Sequence, residues 1–202
     1  MARSTPGVTR QHLVEAAAQL FAERGFGKTS TADIQRACGL NPGSGALYKH
    51  FPSKRALLEE IVQQHLAGIS DRSRQAAAVP EAPEEALPVL ARLVWDSMRR
   101  DRAALRIIFR ELEPFPDLLE QMWQGVLGSV YTVATEWIAS GVRRGDFQVE
   151  DPEATASVLL ASLTYYPILD ALVGHTPGDV DEEAFLAAWT LQARLSLGLK
   201  DR

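Results

Sequence analysis

Apolar residues recur at spacings of three and four along almost the whole of this 202-residue chain. That is the periodicity of a helix that covers one face, and it leaves little room for strands. Residues 10–24 place Leu13, Ala16, Ala17, Leu20 and Phe21 on one stripe. Gly25 ends this helix, and Phe26 follows as an apolar contact past the stop. Ser30 stands three residues before Asp33, an N-cap pattern that opens a short helix running to about Cys38. Ile34, Ala37 and Cys38 are expected to face inward there, and Gly39 ends the helix. Asn41, Pro42 and Gly43 are turn chemistry. Ser44 is placed to cap a third short helix, in which Leu47 and Phe51 lie four apart and face inward. Ser53 caps a long fourth helix, about 53–76, whose apolar face is Leu57, Leu58, Ile61, Val62, Leu66 and Ile69. Further helices are predicted at about 84–100, 102–112, 116–143, 152–174 and 181–199. There is no sustained alternation of apolar and polar residues, no Asn-Gly or Asp-Gly hairpin and no repeat of fixed period. The expected fold class is all-α.

Charge divides the chain unevenly. The net charge is -5, yet residues 1–55 hold eight Lys or Arg against three acidic residues. A basic head on an acidic remainder points to a polyanion partner for the head alone. The single cysteine, Cys38, excludes an internal disulfide framework, reads as a packed thiol rather than a redox sensor, and fits a reducing cytosol. The four histidines are scattered without metal-ligand spacing, so neither a metal nor another cofactor is expected. No stretch approaches the roughly 20 apolar residues of a membrane span, and the start lacks the apolar run of a signal peptide. The expectation is a cytoplasmic protein with no membrane partner.

Three short helices, the last two separated by a turn, match a helix-turn-helix, which presents one helix to the major groove of double-stranded DNA. Three blocks carry a more specific likeness: Leu13 to Phe26, Thr29 to Ile34, and Leu47 to Lys54. In that order they resemble the amino-terminal domain of the tetracycline-repressor (TetR) family. The resemblance implies a three-helix DNA-binding head, a divergent helical body that binds an effector, and a homodimer. It places Tyr48 and Lys49 on the DNA-facing side of the third helix. Beside them Ser44, Gly45 and Ala46 are further candidate DNA contacts, and His50 either touches a phosphate or covers the helix end. It places Ser30 and Thr31 near the backbone at the start of the second helix, and Lys54 at a phosphate-contacting helix start. Leu40–Gly45 makes a longer connection than the family usually has, so it either lengthens the turn or restarts the third helix.

The division expected is a head at residues 1–55 and an effector-binding, dimerising body at 77–202, joined by the fourth helix. The body is dense in large side chains. Small-molecule pockets are mostly apolar and aromatic, and Trp95, Met98, Phe109, Trp123 and Tyr166 are candidates to line one for an apolar or aromatic effector. Pro167 is expected to interrupt hydrogen bonding within its helix. By the family resemblance the last two helices pair with their twins. Independently, the final helix is apolar on more than one side and so needs two covers. Ala156, Leu160, Leu163, Phe185, Trp189 and Gln192 are the candidate dimer residues.

Two other classes of function stand against a DNA-binding repressor. An enzyme is disfavoured, because no nucleophile–base set, paired metal ligands or phosphate-binding glycine loop appears. A helical interaction module, or a regulator without a small-molecule effector, remains open, since the longer turn separates this chain from the family pattern.

Overall fold

The computed structural model describes residues 6–75, 79–178 and 180–199. Among them the regular elements are helical. They are α1 (Pro6–Arg24), α2 (Thr31–Ala37), a 3-10 turn (Leu47–Lys49), α3 (Lys54–Gln75), α4 (Pro83–Arg100), α5 (Arg102–Glu111) and α6 (Pro116–Met122). A π-helical stretch (Trp123–Gly128), α7 (Ser129–Arg144), α8 (Pro152–Val173) and α9 (Glu182–Ser196) complete the order. The fourth helix expected from the sequence is α3, and Ser53 caps it by accepting from the Ala56 amide at 3.0 Å.

Two compact units form, and the chain passes between them more than once. The first takes residues 1–69 together with 103–122; the second takes 70–102 together with 123–202. This differs from a simple division into 1–55 and 77–202. The unit that holds the amino-terminal helices also claims α5 and α6, and the expected boundary at 76–77 lies outside the described residues.

In the first unit, α1, α2 and α3 bury Leu13, Ala17, Phe21, Ile34, Leu57 and Leu58, all essentially inaccessible. Gly25 stops α1 at φ +89° while its amide still donates to Phe21 O at 2.9 Å. In α2 the inward residues are Ile34 and Gln35. Ala37 is exposed and Cys38 half-buried, so the short helix is rotated relative to the sequence expectation.

The second unit is built on α4, α7, α8 and α9. Its core joins Leu87, Ala91 and Trp95 of α4, Ile138 of α7, Leu159 and Leu163 of α8, and Leu186 and Trp189 of α9. Phe147 packs so tightly on Gly141 that a Cβ there would fall 2.1 Å from its ring, which explains a glycine inside α7. Asp151 and Asp181 cap α8 and α9 by accepting from Ala154 and Ala184 amides at 2.9 and 2.8 Å. Pro167 does not end α8, which runs on to Val173. Hydroxyls one turn earlier take up backbone carbonyls: Ser162 donates to Leu159 O and Thr164 to Leu160 O.

α8 also corrects the expectation that no segment is long and apolar enough to span a membrane. Its most apolar 18-residue window has mean hydropathy 1.5, and 28% of that window is buried. Burial of Ala156, Leu159 and Leu163 in the core accounts for one apolar face. The opposite face carries Val158 and Tyr165, both more than half exposed.

Candidate nucleic-acid interface

The segment expected to be a third helix is shorter than the sequence suggests. Gly43 and Gly45 adopt φ of +84° and +68°, a conformation that interrupts right-handed helix. Pro52 closes the other end, because the residue before a proline avoids helical geometry. Only Ala46 to His50 can wind, and a stretch that short takes a 3-10 turn. Ser44 is therefore not a helix cap. The 3-10 turn has no side-chain cap among the described residues, and Ser44 Oγ accepts from the Ala46 amide at 3.4 Å.

The turn is nonetheless firmly seated. Leu47 and Phe51 are 0% and 3% exposed, and Phe51 N and His50 N both donate to Leu47 O at 2.9 Å. Between these anchors Tyr48 is 56% exposed and Lys49 is exposed. Ser44 is exposed, while Gly45, Ala46 and His50 are half-buried beside them. The structure thus holds an aromatic ring and a cation outward on a short rigid segment.

The start of α2 is equally defined. Ser30 Oγ accepts from the Asp33 amide at 3.1 Å, and Asp33 returns the bond by accepting from Ser30 N at 2.9 Å. This reciprocal capping box satisfies two otherwise orphan donors. The hydrogen bonds from Ser30, with Arg36 beside them, hold the Asp33 carboxyl down to about 2.

Lys54 has a place that sequence reasoning missed. Its ammonium donates to Phe26 O at 2.6 Å and Thr29 O at 2.8 Å and sits 4.1 Å above the Phe26 ring. Burial pulls its pKa down. Two of its three donors are committed inside the fold, so Lys54 ties the start of α3 to the turn before Ser30. Lys54 is thus a structural clamp. Other head cations are also engaged. Arg10 forms a forked pair with Glu60 at 2.7 and 2.6 Å and lies over the Phe51 ring. Arg36 pairs with Asp33, and Arg55 with Glu59 and Asp117. Among the described residues Arg24, Lys28 and Lys49 are exposed and carry no ion pair. The Arg36 and Arg55 pairs with Asp33 and Glu59 are local and have helical spacing, whereas Glu60, Asp117 and the carbonyls of Phe26 and Thr29 lie far from their cations in the chain and leave no sequence signal. Cys38 Sγ approaches His12 O at 3.3 Å, and burial pushes its thiol pKa up, as suits a packed thiol.

In the second unit the candidate pocket residues divide. Trp95 is 7% exposed and packs 5.0 Å from Phe185, which in turn stacks 4.7 Å from Tyr166. Tyr166 donates its hydroxyl proton to Pro177 O, and Met98 is half-buried. Phe109, in the first unit, and Trp123 are 50% and 55% exposed, so neither is brought into this aromatic stack. A surface groove of about 450 Å³ between α4 and α9, lined by Pro88, Arg92, Leu186 and Leu191 among others, contains none of the five.

The candidate dimer residues differ in burial. Ala156, Leu163 and Trp189 are 1%, 1% and 9% exposed in a single chain. The Trp189 indole donates to Leu159 O and Ser162 Oγ, both at 3.1 Å. Phe185 lies between Trp95 and Tyr166. These four face their own core; Leu160 is half-buried and only Gln192 is exposed. The uncovered apolar side of the same two helices carries Val158 and Tyr165 on α8 and Leu191 and Leu195 on α9, each 58–66% exposed.

An exposed aromatic–cation turn, seated by buried anchors and preceded by a capped short helix, is the arrangement of a helix-turn-helix DNA-binding regulator. Comparison with known proteins agrees. The sequence profile of bacterial regulatory proteins of the tetR family matches residues 13–61. That of the AefR-like transcriptional repressor C-terminal domain matches residues 85–188. The chain is 30% identical over 153 residues to the transcriptional repressor KstR2 of Rhodococcus jostii, covering 70% of this chain and 71% of that protein. It is 30% identical over 162 residues to the transcriptional regulator TtgR of Pseudomonas putida, covering 76% and 75%. A solved tetR-family regulatory protein from Rhodococcus RHA1 superposes with a TM-score of 0.73 at 23% identity, over 96% of this chain and 98% of that one. This chain belongs to the tetR family of bacterial transcriptional regulators, and DNA is its partner.

Proposed function

We propose that the protein is a repressor that binds a near-palindromic operator as a homodimer and is released by a small apolar or aromatic effector in the cytoplasm. The observation that carries the reading is the pair Tyr48 and Lys49, held outward on a turn whose flanking Leu47 and Phe51 are fully buried. A groove-facing element needs that combination of rigid seat and free polar surface. Ser44, Gly45, Ala46 and His50 flank the contact, and Ser30 and Thr31 meet the backbone at the start of α2. Lys49, with Arg24 and Lys28, supplies charge not spent inside the protein.

The dimer rests on the outer apolar side of α8 and α9, centred on Val158, Tyr165, Leu191 and Leu195, with Gln192 beside them. Two-fold symmetry suits paired half-sites about one DNA turn apart. The effector site rests on the Trp95–Phe185–Tyr166 stack. Trp95 Nε1 is buried and has no hydrogen-bond partner among the described residues, so an aromatic effector carrying an acceptor oxygen suits it. Related proteins fit the reading: KstR2 is named a transcriptional repressor, and a structural relative at 27% identity is described as the flavonoid-responsive regulator FrrA.

Selection of bound duplexes from a random pool, followed by titration across salt concentrations, tests the proposal. Inverted repeats should be enriched, and log affinity should fall steeply with log salt, by about 0.9 per phosphate contacted. Recovery of no enriched sequence at modest ionic strength contradicts it.

A further inference from the structure

We propose that Glu111 is a positioning residue for the DNA-binding surface: its carboxylate pins the turn between α1 and α2. Glu111 Oε2 accepts from the Phe26 amide at 2.8 Å. The carboxylate lies so close over Gly25 that a Cβ there would fall 3.0 Å from Oε1. The φ of +89° favours glycine at position 25, and a side chain there would also crowd the Glu111 carboxylate.

The pin comes from α5, which is remote in sequence, and neighbouring contacts reinforce it. The Phe115 ring meets Phe26 edge-on at 5.1 Å. Arg55 of α3 lies 5.3 Å from the Phe115 ring centroid and pairs with Asp117. Further along α3, Gln63 donates to Gln121 at 2.6 Å. Residues 103–122 thus bind the first unit at several points, although the chain on both sides of them belongs to the second unit. At their end the chain takes the π-helical stretch Trp123–Gly128, a deviation often found at functional sites.

From Phe26 the hydrogen bonds run to the DNA-facing groups. Phe26 O and Thr29 O both receive Lys54. Thr29 Oγ closes back on Gly25 O at 2.8 Å, and Ser30 next to it caps α2. Removal of the Glu111 acceptor frees the Phe26 amide, loosens the 25–30 turn, and lets the start of α2 and the start of α3 drift apart. The segment that supplies the pin is continuous with the second unit at both ends, so a change there has a covalent route to this turn.

The proposal rests on the DNA-binding reading, and its test separates the two. Amide hydrogen exchange at Phe26 is measured on the full chain without DNA, for the parent, Glu111→Ala and Glu111→Gln; operator affinity is measured alongside. Phe26 is expected to be protected in the parent, and to lose protection about tenfold or more in Glu111→Ala with helical content kept. Operator affinity should fall about five- to tenfold in the same variant, the scale of one hydrogen bond. Glu111→Gln keeps an acceptor oxygen and should restore both to within about twofold of the parent. The proposal is overturned if the parent Phe26 amide exchanges as fast as an open amide, a result that needs no variant to fold. It is also overturned if Glu111→Ala changes neither readout, or if Glu111→Gln is as impaired as Glu111→Ala. Failure of the parent to bind any duplex instead sinks the DNA reading and leaves the exchange result standing.

Discussion

At the scale of single residues, the same charge can serve the ligand or the fold. Lys54 and Lys49 lie five positions apart on the basic head, yet Lys54 spends its donors on Phe26 O and Thr29 O while Lys49 stays in solvent. Replacement of Lys54 by Met should therefore lower stability by about 1–2 kcal/mol, through lost charge-assisted hydrogen bonds, seen as a lower thermal midpoint. The salt slope of DNA binding should stay near the parent value, whereas Lys49→Ala should reduce it by about 1. A reduced slope and an unchanged melt in Lys54→Met contradict the clamp. Asp33 offers a second check. Its carboxyl is held at about 2 by the Ser30 hydrogen bonds, below the usual value of about 3.9. A depressed carboxyl stabilises the fold fully above its unfolded pKa, and that contribution disappears as pH falls through the folded one. The capping of α2 should thus weaken between about pH 4 and pH 2. In Ser30→Ala the Asp33 titration, followed by NMR, should move up toward the usual carboxylate value; an unmoved midpoint contradicts the assigned cause.

At the scale of elements, periodicity and caps are legible in the sequence, and faces are less so. The helix ranges follow from stripes of apolar residues and from Gly25, Ser30 and Ser53, all local signals. The third helix is over-read, because Leu47 and Phe51 have helical spacing while Gly43 and Gly45 forbid the helix that would carry it. The last two helices show why two apolar faces are harder to read than one. Their composition announces two covers, but spacing alone does not say which side meets its own chain. Ala156, Leu163 and Trp189 meet their own core; Val158, Tyr165, Leu191 and Leu195 do not. Leu195→Glu on the outer face should leave the thermal midpoint of the monomer fold little changed, since surface substitutions usually cost within about 0.5 kcal/mol. It should halve the mass seen by sedimentation. An unchanged dimer mass places the interface elsewhere.

At the scale of the whole molecule, the amino-terminal unit is not a contiguous piece of sequence. It completes itself with α5, α6 and the connection between them, whose Glu111, Asp117 and Phe115 bind residues 26 and 55. Such pairings depend on long-range geometry and leave no periodic trace, so a boundary drawn at residue 55 cannot anticipate them. The exposure of the 47–49 turn is readable because Tyr48 and Lys49 have no partner among the described residues that would draw them inward. The central claim is that this turn enters the major groove. Titration of the parent and the double variant Tyr48→Ala, Lys49→Ala against a selected operator and a scrambled duplex tests it most directly. Loss of base contacts worth about 1–3 kcal/mol each should weaken operator binding at least about tenfold and scrambled-duplex binding much less. Equal operator binding by the parent and the double variant contradicts the claim.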